Sequence, residues 1–144
     1  MHWLEQQVVR LAGLADDYQQ SLAFAGSGPS GVARMKDARS CFVGAVREVV
    51  TEVARRTGVT ACFACHDGLV MEAAGRAPDF DALSAMTQSV TVAAKDAAIT
   101  LALGKVQQMV IVGDEHKLAL FVLGQFAIGI LSPTATHLGQ ALSR

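Results

Sequence analysis

Residues 79–103 read DFDALSAMTQSVTVAAKDAAITLAL and contain neither glycine nor proline. Asp79 suits the N-cap of a helix, and Gly104 follows as a residue that accepts the left-handed C-cap conformation. Apolar side chains recur at steps of three and four residues, which predicts one amphipathic stripe: Leu83, Met86, Val90, Ala93, Ala97 and Leu101. A second apolar row widens this surface: Ala85, Val92, Ile99 and Leu103. We therefore expect a long helix that is covered on two sides.

Five strand-like runs flank this helix. Residues 59–65 and 69–74 lie on either side of His66-Asp67-Gly68, and an Asp-Gly pair between two such runs is typical of a type I′ hairpin. Residues 106–112, 116–123 and 125–131 follow the helix, with connections so short that neighbouring strands must be antiparallel. Both alternating faces of the middle run are apolar, so we expect helices on both faces of the sheet. Ser132 and Pro133 then predict the start of a short C-terminal helix.

The N-terminal part of the chain predicts two more helices. Residues 1–25 carry apolar residues at alternating steps of four and three: Leu4, Val8, Leu11, Ala15, Tyr18 and Leu22. This seam favours an amphipathic helix that is docked on its own domain or one that pairs with a second chain. Residues 26–31 read GSGPSG and predict a flexible linker, because glycine and proline are unfavourable inside helices. Residues 32–144 then form one domain, whose first helix runs to about Thr57.

The overall composition excludes several classes of partner. The 144 residues carry a formal net charge of −1, so no global field attracts nucleic acid. No apolar run reaches the roughly 18 residues of a membrane span, and the N-terminal residues lack a signal-peptide pattern. We therefore expect a cytoplasmic protein without membrane insertion. The three cysteines are predicted to be reduced thiols rather than a disulfide framework.

Cys62-Phe63-Ala64-Cys65-His66 has the C-x-x-C-H pattern that is typical of covalent c-type haem attachment. The pattern falls in a predicted strand, however, where alternation puts Cys62 and Cys65 on opposite faces. Haem attachment needs both thiols on one side. We therefore expect no cofactor and no metal, with both cysteines as buried apolar residues. A haem or redox protein that uses Cys62, Cys65 and His66 is the alternative.

The chain offers no recognisable catalytic constellation. Ser132, His137, His116 and Asp114 have suitable side chains, but none lies in a nucleophile elbow or a paired-carboxylate pattern. The glycine-rich residues 26–31 lack the Lys-Ser or Lys-Thr of a phosphate-binding loop and do not follow a strand. The sequence therefore predicts a protein that is not an enzyme.

The residues from about Asp37 to the C-terminus resemble the Roadblock (dynein light chain) family. The similarity lies in the element order and in Asp67-Gly68-Leu69-Val70, the run KVQQMVI at residues 105–111, and Leu138-Gly139. The resemblance implies an α+β fold with a five-stranded antiparallel sheet in the order 2-1-5-4-3 and helices on both faces. The chain would be a prokaryotic-type member, and its N-terminal helix is an extension of the minimal domain.

The resemblance also implies a function. The chain is expected to be a non-enzymatic homodimeric module that binds, scaffolds or regulates a Ras-like small GTPase; a structural scaffold subunit of a larger assembly is an alternative. The implied dimer interface comprises the third strand and part of the long helix: Val106, Gln108, Met109, Val110, Ile111, Val112, Met86 and Val90. The implied partner-binding residues are a polar row on that helix: Asp81, Ser84, Gln88, Thr91 and Lys95.

Overall fold

The computed structural model describes residues 2–144 and shows four helices and one five-stranded sheet. The helices are α1 (His2–Leu22), α2 (Pro29–Arg55), α3 (Phe80–Thr100) and α4 (Leu138–Ala141). The strands are β1 (Ala61–His66), β2 (Leu69–Gly75), β3 (Gln108–Val112), β4 (His116–Leu123) and β5 (Phe126–Pro133). All neighbouring strands are antiparallel, in the order β2-β1-β5-β4-β3. The predicted fold class and strand order are therefore confirmed.

The connection between β1 and β2 is the predicted type I′ hairpin. Asp67 and Gly68 have φ angles of 51° and 81°, and this turn requires positive φ at both central residues. Gly68 also lies close to α3. A Cβ atom added at this position would lie 3.2 Å from the Cβ of Gln88. The glycine therefore allows both the turn and the close approach of the helix.

α1 and α2 cover one face of the sheet. Leu4 and Leu11 of α1 are fully buried in a core cluster that includes residues of α2, β1, β4 and β5. The ring of Tyr18 lies 6.3 Å from that of Phe42 in α2 and 6.4 Å from that of Phe126 in β5. Of the two interpretations of the N-terminal seam, the structure therefore shows the helix docked on its own domain.

α2 begins at Pro29 and so includes three residues that the sequence assigned to a flexible linker. Proline suits the first turn of a helix because an N–H group at that position would have no acceptor within the helix. Gly31 lies so close to the carbonyl group of Phe24 that an added Cβ atom would overlap with it. Residues 23–28 form turns, in which the N–H of Ser27 donates to the carbonyl of Phe24 at 3.0 Å. The glycines and the proline thus build a tight connection between two packed helices.

α3 lies on the opposite face of the sheet, against β1 and β2. Its predicted N-cap is confirmed, because a carboxylate oxygen of Asp79 accepts a hydrogen bond from the N–H of Ala82 at 3.1 Å. Asp81 lies in the first turn, where the positive end of the helix dipole favours a carboxylate. The start of the helix is therefore fixed by the residues that predicted it.

The end of α3 differs from the prediction. The helix stops at Thr100, and its C-cap bonds involve Ala102, which has a left-handed φ of 54°. Gly104, the predicted cap residue, lies two residues further on and also has a positive φ, of 82°. The N–H of Leu103 donates to the carbonyl of Ala98 at 2.9 Å, and that of Ala102 donates to Ile99 at 3.2 Å. These two bonds form a Schellman motif, which satisfies the last carbonyls of the helix. An alanine occupies the position that usually holds glycine.

Ser132 and Pro133 end β5 instead of starting the last helix. They pair with Lys117 and His116 of β4, so the strand ladder continues through both residues. α4 begins only at Leu138, and its Leu138 side chain is buried in the core. Across residues 2–144, no helix has the length and apolarity needed to cross a bilayer.

Candidate functional site

The face of α3 that touches the sheet is polar. The side chains of Ser84, Thr87 and Thr91 are 0%, 2% and 6% exposed. With Ala94 and Ala98 they form a row at steps of three and four residues, which we call the inner row. Small side chains let the helix lie close to the sheet, and the Thr87 hydroxyl donates to the Leu83 carbonyl at 2.8 Å. Ser84 and Thr91 were predicted to bind a partner, but their burial makes them inaccessible to one.

The predicted apolar stripe lies beside the inner row, on the side of α3 nearer to β3. This β3-side row comprises Leu83, Met86, Val90, Ala93, Ala97 and Leu101. Leu83 and Val90 are half-buried against a second core cluster around Phe63 and Leu120. Met86 and Leu101 are each 66% exposed. A cavity of about 530 Å³ separates the Ala97 region from the residues that lead into β3. The monomer therefore leaves much of this row uncovered.

β3 is an edge strand with an apolar sequence. Val110, Ile111 and Val112 are 52%, 44% and 63% exposed. Edge strands that remain exposed to solvent usually carry charged residues or proline. Met109 is half-buried against the second core cluster, which also contacts Val90. The remaining predicted interface residues lie at the start of this segment: Gln108 begins the strand and is exposed, and Val106 precedes it and is half-buried. The structure thus brings the predicted interface residues of α3 and β3 to one side of the domain.

The exposed face of α3 carries a row of mixed character. This outer row comprises Asp81, Ala85, Gln88, Val92, Lys95 and Ile99, at strict steps of four and three, and all six residues are exposed. Three of them were predicted to bind a partner: Asp81, Gln88 and Lys95. The ammonium group of Lys95 donates to the carbonyl of Gly124 in the β4–β5 turn at 3.5 Å. The outer row therefore combines separated polar groups with exposed apolar side chains.

Val92 and Ile99 were not among the predicted site residues, although they are 50% and 79% exposed. The sequence does contain their signal, because both belong to the second apolar row of this helix. Periodicity alone does not tell which of several rows meets the sheet. The decisive feature is the row of small hydroxyl residues, which packs inward and leaves both apolar rows at the surface.

The C-x-x-C-H residues do not form one site. Cys62 belongs to the core cluster beneath α1 and α2, and Cys65 belongs to the cluster beneath α3. The thiols therefore lie on opposite faces of β1, as the alternation predicted, and cannot both attach to one haem. Burial raises the pKa of both thiols and keeps them protonated.

His66 is the last residue of β1 and is half-buried. Its ring stacks on Phe126 with centroids 4.6 Å apart, and its Nε2 lies 3.2 Å from the amide oxygen of Gln125. The same nitrogen lies 3.3 Å from a carboxylate oxygen of Asp67. No cluster of three potential metal ligands occurs within residues 2–144. These contacts anchor the two turns at this end of the sheet.

Solved structures of other proteins share this fold. MglB from Myxococcus xanthus matches with a TM-score of 0.62 at 16% identity, over 67% of this chain and 76% of that one. A Roadblock/LC7 domain from Streptomyces avermitilis matches with a TM-score of 0.59 at 22% identity, over 67% and 88%. The gliding protein MglB from Thermus thermophilus matches with a TM-score of 0.58 at 22% identity, over 65% and 75%. At these identities the similarity establishes the fold.

The sequence comparison is more specific. No curated protein matches the sequence significantly. Residues 45–132 match the family model of the Roadblock/LC7 domain. This range contains all five β-strands except the last residue of β5, and it contains the whole of α3. Because the match spans more than half of the chain, the protein belongs to the Roadblock/LC7 domain family.

Proposed function

We propose that this protein is a homodimeric interaction module that binds a Ras-like small GTPase and regulates it. The observation that carries the proposal is the arrangement of α3, which buries a polar row and exposes apolar residues beside an unpaired edge strand. Membership of the Roadblock/LC7 family supports the same role, because the family resemblance implies a dimeric platform. The proposal assigns no chemical step to the chain itself.

The first step of the proposal is dimerisation through β3. A second copy that adds its own β3 in antiparallel register would extend the sheet and satisfy the open backbone groups of both edges. The two-fold axis of such a pair brings the β3-side rows of the two α3 helices together. Met86, Leu101 and Ile111, which are exposed in the monomer, would then be covered.

The second step places the GTPase on the outer row, of which the dimer carries one copy on each protomer. Each copy has isolated charges at Asp81 and Lys95 and apolar contacts at Val92 and Ile99. Such a mixture suits a transient interface, whose centre avoids buried charge. α3 contains no arginine, so the row supplies no arginine finger. Any acceleration of hydrolysis would therefore come from ordering the GTPase's own switch residues.

Calorimetry with a GTP-loaded Ras-like protein from the same organism tests this surface. We expect Gln88→Glu with Lys95→Glu to keep the dimer intact and to abolish binding, because the double change adds two carboxylates to each outer row. Gln6→Glu with Arg10→Glu on α1 is the control, because both side chains are exposed and the net charge changes equally. Wild-type affinity in the Gln88/Lys95 variant would move the docking surface elsewhere, with α1 as the next candidate.

A further inference from the structure

α2 carries a groove that is lined by several basic side chains. Lys36, Arg39 and Arg47 line this shallow groove of about 550 Å³, together with Ser40, Val43 and Gly44. The lining contains three cations and no carboxylate. Its residues recur at helical steps, so the positive charges follow a single line along the helix.

Two of these cations have no counter-charge. The guanidinium of Arg47 contacts Glu72 of β2, with an Nη2–Oε1 distance of 3.0 Å. Within residues 2–144, Lys36 and Arg39 form neither an ion pair nor a side-chain hydrogen bond. The groove therefore offers unneutralised positive charge to a ligand.

The groove runs beside the second open edge of the sheet. β2 is the outermost strand at the end opposite β3, and the contact between Arg47 and Glu72 fixes α2 next to it. Glu72 is the strand's one charged residue, and the strand contains no proline. An edge of this kind has unpaired N–H and C=O groups that can accept another strand. A β3-paired dimer would leave both copies of this edge free.

We propose that β2 and the basic side of α2 form a docking groove for an extended acidic segment of a partner protein. The segment adds to β2 as a further strand and places alternate carboxylates next to Lys36 and Arg39. Lys36 and Arg39 lie about 4.5 Å apart along the axis of α2 at 1.5 Å per residue. Alternate positions of a strand lie about 7 Å apart, a difference that the long side chains of Lys36 and Arg39 can span. Backbone pairing supplies affinity, and the cations supply specificity.

The surroundings favour a peptide over a membrane or a nucleic acid. The whole chain has a net charge of −1, and the groove itself is lined by only three cations, which lie in one narrow line. Anionic membranes are usually bound by clusters of about four to eight cations, and nucleic acids by broad basic faces. Neither ligand can use the row of backbone groups along β2. The proposal does not depend on the GTPase, because α3 lies on the opposite face of the sheet.

Fluorescence polarisation with labelled peptides tests the groove. The probe is a seven-residue peptide of alternating glutamate and valine, which matches the length of β2. We expect saturable binding to the wild type and at least about tenfold weaker binding to the Lys36→Glu, Arg39→Glu variant. Arg10→Glu with Arg55→Glu changes the net charge equally at exposed sites outside the groove, and should bind within about twofold of wild type. Lys36→Gln with Arg39→Gln repeats the test without added negative charge.

A second peptide separates strand addition from simple charge attraction. In it, prolines replace the valines, which keeps every carboxylate but removes N–H donors that strand pairing needs. We expect no measurable binding of this peptide. Equal binding of both peptides would overturn strand addition, and equal losses in the groove and control variants would overturn the assigned site. Binding to phosphatidylserine vesicles without any peptide binding would also contradict the proposal.

Discussion

Ser84 and Met86 lie two residues apart in α3, yet the serine is fully buried and the methionine is 66% exposed. A helix that packs only on its own sheet would show the reverse, because burial of apolar area is the main driving force of packing. The inversion means that the isolated domain leaves its apolar rows without a partner. The arrangement is explained if a second copy and a binding partner cover them.

Met86→Asp tests the β3-side row. We expect this change to weaken dimerisation at least about tenfold, because each interface would bury two uncompensated carboxylates. The measurement is molar mass by light scattering across a dilution series. Val9→Asp is the control, since Val9 is 72% exposed on the helix α1 and lies outside the proposed interface. Equal dimer affinities in the two variants would argue against a role for this row.

Ala102→Gly should stabilise the protein. Ala102 has a φ of 54°. This left-handed conformation is unfavourable for residues with a Cβ atom, whereas glycine adopts it readily. We expect the free energy of unfolding to rise by about 0.5–1 kcal/mol, measured by urea denaturation. Ala85→Gly inside the same helix should lower it by about 1 kcal/mol. A loss of stability in Ala102→Gly would show that the Schellman geometry is not formed.

Leu11→Ala tests whether α1 is part of the domain core. Leu11 of α1 is fully buried in the first core cluster, so its truncation should reduce the free energy of unfolding by about 2–5 kcal/mol. The exposed residue Val9 serves as the control, and Val9→Ala should change stability by no more than about 0.5 kcal/mol. A helix that moves freely on a linker would give the same small effect at both positions.

The cysteines predict a pattern of thiol reactivity. Cys41 is exposed, whereas burial raises the pKa of Cys62 and Cys65, so one thiol per chain should react rapidly with Ellman's reagent in native protein. All three should react after denaturation. Above the ordinary thiol pKa of 9.0, the unfolded chain loses protons that the folded chain keeps, so stability should fall as pH rises. Three rapidly reacting thiols in the native state would contradict the burial of the C-x-x-C-H cysteines.

The sequence predicts those features that depend on local patterns. Asp67-Gly68 specifies its hairpin because few residues tolerate positive φ, and Asp79 specifies a helix start through its own side-chain acceptor. The opposite faces of Cys62 and Cys65 follow from the two-residue period of a strand. The order of the five strands came from the family resemblance, since non-local pairing leaves no local signal.

The orientation of α3 could not be read in the same way. Apolar residues form two rows on this helix. The row of Ser84, Thr87 and Thr91 lies between them, and its hydroxyl side chains are typical of a solvent-exposed face. Which row meets the sheet depends on how closely the helix can approach it, a property of the whole packed layer. The basic residues along α2 also give no distinctive local signal, because their proposed role depends on the neighbouring edge strand β2.

The molar mass of the wild-type protein in solution tests the central claim most directly. The chain has a mass of 15.1 kDa. Size-exclusion chromatography with light scattering at micromolar concentration should give twice that value, because the proposed dimer covers the edge of β3 and the β3-side row of α3. A mass of 15.1 kDa under the same conditions would contradict the account, since it would leave the edge of β3 and the β3-side row of α3 without the proposed second copy.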